Sequence, residues 1–117
     1  MNRHNKALKE IGSFIKERDW KKFHGPKNLA LSVCIEAAEL LEHFQWKNST
    51  EAREYLADKK NKEEVAEEIA DVAMYLFELA DDLNIDLYKA ISRKIMKNKK
   101  KYPVKKVKGR AVKHTDL

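Results

Sequence analysis

Two short acidic couplets sit inside the most apolar stretches of the chain: Glu36 and Glu39 within residues 29–44, and Glu68 and Asp71 within residues 65–80. In a helix, side chains three residues apart project from nearly the same face, so each couplet becomes a clamp of two carboxylates. Two such clamps facing each other make a basin of four carboxylates. An isolated carboxylate in apolar surroundings costs several kcal/mol, and the usual compensation is a hard divalent cation with oxygen ligands. Bound in this way, Mg²⁺ commonly recruits phosphate.

A lone E-x-x-E in a helix is ordinarily a stripe facing water. The surroundings set these couplets apart. Glu36 is bracketed by Val33, Cys34, Ile35, Ala37, Ala38, Leu40 and Leu41, which leaves little helix surface for solvent. Neither Glu36 nor Glu39 has Lys or Arg four residues away, so no local ion pair can neutralise them. Around the second couplet, Glu64 shares the face of Glu68 and Asp71 and is a further candidate ligand or ligand support. Glu63 and Glu67 lie to the side and complement the positive end of the helix dipole.

Few turns are available to position these acids. The chain has 117 residues, 43% of them hydrophobic, with three glycines and two prolines. That composition points to one domain of a few long helices, small enough that self-association would help to cover apolar faces. Leu8, Ile11, Phe14 and Ile15 recur at helical spacing and predict a first helix from about residue 5 to 19. Gly25-Pro26 closes the next connection, and a second helix over about 27–45 is apolar nearly all round, which predicts a central position. Cys34, set within it, is expected to be a small core residue, and a single cysteine excludes an internal disulfide. Thr50 is a plausible cap for a short amphipathic helix to about residue 58, and Asn61 with Glu64 resembles a capping box opening a long helix to about 83. Asn84 suits the residue after a helix, Asp86 can cap a helix to about 101, and Pro103 stops it.

Charge is segregated. Residues 1–92 carry 14 Lys/Arg and 18 Asp/Glu, whereas residues 93–117 carry 11 Lys/Arg against Asp116 alone. The basic end is compatible with a nucleic-acid arm, a solvated tail, or a source of phosphate ligands beside a metal basin. No apolar run approaches the ~20 residues of a membrane span, and the polar start has no signal-peptide core, so the cytoplasm is the expected compartment.

Glu36-Ala-Ala-Glu39 followed by Glu68-Ile-Ala-Asp71-Val72 resembles the acidic signature of the all-α, MazG-like nucleoside triphosphate pyrophosphohydrolases. Arg18-Asp19-Trp20, Phe23-His24-x-Pro26-x-Asn28-Leu29, Phe44-Gln45-Trp46-Lys47, Asp71-Val72-x-x-Tyr75-Leu76, Asn98-x-x-x-Tyr102-Pro103-Val104 and Thr115-Asp116-Leu117 are similar to the dCTP pyrophosphatase branch almost end to end. The resemblance implies a four-helix-bundle core with a short extra helix over residues 1–103 and a basic, irregular tail over 104–117. It also implies Mg²⁺, with Mn²⁺ as a substitute, on Glu36, Glu39, Glu68 and Asp71 as metal-binding and catalytic residues. Water would attack the α-phosphorus of a nucleoside triphosphate, dCTP or a modified dCTP, releasing the monophosphate and pyrophosphate in nucleotide-pool sanitation. Lys94, Asn98 and Tyr102 match positions near the phosphates and sugar, and Trp20 and Trp46 match aromatic residues of the base pocket. Ile11 stands where dCTP-preferring relatives carry a base-contacting histidine, which implies a looser cytosine preference. Homo-oligomers, dimers that pair into tetramers, are implied as well.

Two other readings compete. A carboxylate-bridged di-iron or di-manganese bundle wants Glu-x-x-His on two helices, and His43 stands four residues after Glu39 instead. A helical nucleic-acid binder could use the basic tail, but the acidic remainder and the lack of a recognition motif argue against it.

Overall fold

The computed structural model describes residues 1–117, all-helical and without strands. It divides into two compact units, Met1–Asn84 and Ile85–Leu117.

In the first unit, α1 (Arg3–Glu17) opens on Asn2, whose side chain accepts from the Asn5 N–H at 2.8 Å. The chain leaves it through Arg18 and Asp19, the latter with a left-handed backbone (φ 53°), a conformation that Asp tolerates better than most residues. A 3₁₀ turn over Lys21–Phe23 leads to α2 (Pro26–Glu42), where Pro26 supplies a preset φ at the first helical position. α3 (Ser49–Ala57) is capped by Asn48, not Thr50. Asn48 and Glu51 form a reciprocal capping box, the side chain of each taking the other's backbone N–H at 2.9 and 3.1 Å.

The long α4 (Lys59–Asp82) starts at Asp58, whose carboxylate accepts from the Lys60 and Asn61 N–H groups. Asn61, the residue expected to cap it, instead donates to the Tyr55 carbonyl at 3.1 Å and ties α3 to α4. Asn84 closes the unit with φ 54°, the left-handed conformation expected after a helix.

α4 is the axle of this unit. Its most extensive seam is with α2, and it also packs on α3 and α1. Sequence apolarity alone had favoured α2 for that position. Only Ile15, Leu29 and Val65 are buried, while Leu31, Ile35, Leu41 and Ile69 are at least half exposed. Two-sided apolarity in α2 therefore serves one face toward α4 and leaves another open, and Cys34 is exposed on that helix and not part of a core.

In the second unit, α5 (Leu87–Lys101) is capped by Asp86, which accepts from the Lys89 N–H at 3.0 Å. Residues 104–117 are less irregular than expected: Val104–Val107 form α6, Gly109 turns the chain with φ 76°, and His114–Asp116 form a 3₁₀ turn. Tyr102 and His114 meet edge to face at 5.8 Å and fasten that end to α5. No helix is long and apolar enough to cross a membrane.

Candidate active site

The α2–α4 seam brings three of the four acids together. One carboxylate oxygen each from Glu36, Glu39 and Glu68 lie within 4.8 Å of one another. Asp71, one turn further along α4, is not part of this triplet but contributes its negative field to both Glu36 and Glu68. Within the first unit no Lys, Arg or His pairs with any of the four. Glu64 is exposed and stands outside the cluster.

Crowding of like charges in a part-buried seam shows in the proton affinities. The Glu36 carboxyl is pushed up to about 7, first by burial, then by its contacts with the Glu68 and Glu39 carboxyls, and then by the fields of Glu39 and Asp71. Burial also raises Glu68, with Glu39 and Asp71 adding to the effect and the Glu36 contact opposing it. Glu36 Oε2 and Glu68 Oε2 are both buried with no hydrogen-bond partner. Two solvent-shielded oxygens without a donor, aimed into a cluster of carboxylates, form a donor set that suits a hard divalent cation.

A cavity of about 310 Å³ opens at this cluster, lined by Glu39, Glu42, His43, Lys47, Tyr55 and Glu68. His43 is not a ligand in this arrangement. Its Nδ1 lies 2.8 Å from the Tyr55 hydroxyl. Lys47 donates to the His43 carbonyl at 2.7 Å, and its ammonium sits 4.3 Å over the Tyr55 ring. Sequence reasoning had passed over Lys47 and Tyr55 as chemical groups, since no local spacing links them to Glu39 and Glu68. The α2–α3 connection and α3 bring them to the same cavity.

Along α4 the same face continues from Glu68 and Asp71 to Tyr75 and Glu78. Burial pushes the Tyr75 hydroxyl up, the fields of Glu36, Glu78 and Asp71 push further, and contact with Ser32 pulls back. The Tyr75 ring meets His24 at 6.4 Å, and His24 Nδ1 lies 2.8 Å from Glu78 Oε2. Glu78 was missed in the sequence. Its signal was the seven-residue step from Asp71, which returns to one helix face.

The aromatic candidates are separate within one chain. Trp20 is 43% exposed, edge-on to Phe14 and tilted against His24, whereas Trp46 is 85% exposed and makes no ring contact with Trp20. In the second unit, Lys94 is exposed on α5, Asn98 is half-buried one turn on, and Tyr102 caps the helix by donating its N–H to the Asn98 carbonyl at 2.8 Å.

Helical architecture and an acidic triplet drawn from two E-x-x-E/D motifs on α2 and α4 define a class, and the comparisons agree with it. The sequence profile of the MazG-like family matches residues 31–117. The chain belongs to the MazG-like family. It is 42% identical over 104 residues to mouse dCTP pyrophosphatase 1 and 36% identical over 104 residues to the human protein of that name, covering 89% of this chain in each case. The chain spans 61% of the length of each of these relatives. Among solved structures, a pyrophosphatase from Archaeoglobus fulgidus DSM 4304 superposes with a TM-score of 0.82 at 46% identity, covering 88% of this chain and 94% of that one.

Proposed function

We propose that this chain is a nucleotide pyrophosphohydrolase that cleaves a nucleoside triphosphate between the α- and β-phosphates, with dCTP or a modified dCTP as substrate. The observation that carries this reading is the triplet Glu36, Glu39 and Glu68 with its two buried oxygens lacking any donor. Similarity to proteins named dCTP pyrophosphatase 1 supplies the substrate class.

Glu36, Glu39, Glu68 and Asp71 would hold Mg²⁺, with Mn²⁺ as a substitute. When bound, the cation neutralises charge on the phosphate oxygens and makes water a better nucleophile at neutral pH. Without it, the raised Glu36 pKa keeps a proton on the cluster near neutrality, which cation binding must displace. In the reaction, water attacks the α-phosphorus, the bridging oxygen departs with pyrophosphate, and a carboxylate of the cluster takes the water's proton. Lys47, the cation lining the adjoining cavity, is placed to offset charge on the departing phosphates. Lys94, Asn98 and Tyr102 are assigned to the phosphates and sugar, and Trp20 and Trp46 to the base, by their match to the family pattern.

The active form in this reading is a homo-oligomer, a dimer or a tetramer made by two dimers pairing. Three buried apolar residues are a small core for 84 residues of folded unit, and Leu31, Ile35, Leu41, Ile69 and Trp46 present apolar surface that a second copy would cover. The experiment that tests the function is a screen of the common ribo- and deoxyribonucleoside triphosphates with Mg²⁺, following pyrophosphate. Release of pyrophosphate from none of them would reject it.

A further inference from the structure

Lys47 stands beside carboxylates without pairing with them. It lines the cavity of about 310 Å³ together with Glu39, Glu42 and Glu68, yet it forms no ion pair with any of the three. An ammonium on a flexible four-carbon stem, left free at the mouth of an acidic cluster, falls onto the nearest carboxylate. Two contacts hold this one elsewhere. Its Nζ donates at 2.7 Å to the carbonyl of His43, at the C-terminal end of α2, and sits 4.3 Å from the centroid of the Tyr55 ring.

The ring is itself fixed from three directions. His43 Nδ1 lies 2.8 Å from the Tyr55 hydroxyl, the Phe44 ring meets it edge to face at 6.2 Å, and Asn61 of α4 donates to the Tyr55 carbonyl at 3.1 Å. His43 thus serves twice: its carbonyl receives the ammonium, and its imidazole sets the aromatic face against which the ammonium rests. Ordering a lysine forfeits rotamer freedom, which a charge-assisted hydrogen bond and a cation–π contact together offset.

Two needs of the proposed reaction meet at this spot. The carboxylates have to stay open to a cation, whereas charge developing on the departing pyrophosphate calls for a positive group close by. A lysine paired with Glu39 or Glu68 would meet neither need, since it would occupy oxygens the cation requires and its own charge would already be neutralised. A carbonyl and an aromatic face are uncharged partners. They hold the ammonium in place and leave its full charge facing the cavity.

We infer that Tyr55, set by His43, is a positioning residue that keeps the Lys47 ammonium off the carboxylates of the acidic cluster. The cluster thereby stays open to a divalent cation, and Lys47 stays available to the leaving pyrophosphate. The inference rests on the proposed function for its anion, and on the acidic cluster alone for its effect on the cation.

The test is Mn²⁺ binding to the full chain without nucleotide, the free ion being counted by electron paramagnetic resonance, in a cycle of Tyr55 and Lys47 variants. Tyr55→Leu should weaken Mn²⁺ by about fivefold, the strength of one surface ion pair, because the released ammonium reaches Glu39 or Glu68. Tyr55→Phe keeps the aromatic face and should stay within about twofold of the wild type. In a Lys47→Met background, Tyr55→Leu should make no further difference. If circular dichroism shows Tyr55→Leu to be unfolded, Tyr55→Met is read in its place. An equal loss in both backgrounds makes Tyr55 merely structural and overturns the inference, as does an unchanged affinity in Tyr55→Leu. A wild type that binds no Mn²⁺ overturns it together with the metal reading. With Mg²⁺ saturating, Tyr55→Leu and Lys47→Met should each lower kcat for pyrophosphate release and the double variant should lower it no further, whereas losses that multiply overturn the positioning role. Because Mn²⁺ is read without substrate, that arm stands apart from whether any nucleotide is cleaved.

Discussion

Removing one charge from the acidic cluster should stabilise the metal-free protein and destabilise the metal-bound one. Glu36 moves from 4.5 to about 7 on folding. Between those values the folded chain holds a proton that the unfolded chain has released, so stability falls as pH rises through that window. At face value the shift corresponds to about 3 kcal/mol, and screening by the water that reaches the seam leaves about 1 kcal/mol. Glu68 and Glu78 are raised as well and push in the same direction. For a domain of this size, 1 kcal/mol moves the unfolding midpoint by about 4 °C.

Thermal unfolding followed by circular dichroism in chelator should therefore show the wild type losing about 4 °C between pH 5 and pH 8. Glu36→Gln, which cannot ionise, should flatten that profile and exceed the wild type at pH 8. Adding Mg²⁺ at a hundredfold excess over its dissociation constant contributes about 2.7 kcal/mol to the wild type, more than the repulsion it relieves. The order of the two proteins then reverses at pH 8. A metal-free wild type whose midpoint is flat or rises with pH, or a Mg²⁺ response equal in the two proteins, would refute the reasoning that repulsion in this cluster is what the cation relieves.

Glu39→Gln and Asp71→Asn should each abolish pyrophosphate release while far-ultraviolet circular dichroism stays helical; near-wild-type turnover in either would place the reaction elsewhere. Trp46→Ala should raise KM for every good substrate with little change in kcat, since about 1–3 kcal/mol of stacking is binding that all bases share. An unchanged KM would assign the exposed indole to a subunit contact. Light scattering at micromolar concentration should give a multiple of the 13.7 kDa chain, and a monomer mass would reject the homo-oligomer.

Periodicity made the helices and the acids legible because both are local properties: couplets at i and i+3 share a face whatever the helix packs on. Caps were harder to place. Thr50 and Asn61 are reasonable N-cap types, but Asn48 and Asp58 win because each has the backbone N–H of its own first turn within reach, and Asn61 is then free to bridge to Tyr55. The centrality of α2 was misjudged for a different reason. Apolarity on two faces does not say whether the second face meets another helix of the same chain or surface left open in it, and Leu31, Ile35 and Cys34 lie on the open side. Glu78 escaped notice because its partner is remote in sequence, His24 being 54 residues away, and Lys47 because it lies in the connection between α2 and α3, whose path to the carboxylate cavity no helical spacing gives.

What the fold adds to the acidic spacing is rotational phase. Glu68, Asp71, Tyr75 and Glu78 follow steps of three, four and three residues, so they stay on one side of α4 for the whole of its second half. A one-residue slip of that helix against α2 would turn the stripe by about 100°, separating Glu68 from Glu36 and Glu78 from His24 at once. Nothing within Lys59–Asp82 invites such a slip: the segment has neither glycine nor proline, and Val65 is locked in the core at one end while the His24–Glu78 contact holds the other. The carboxylate cluster and the His24 pair are therefore set by one rigid element. That is why repulsion among Glu36, Glu39 and Glu68 cannot be relieved by rearranging the seam and persists in the raised proton affinity of Glu36 and Glu68.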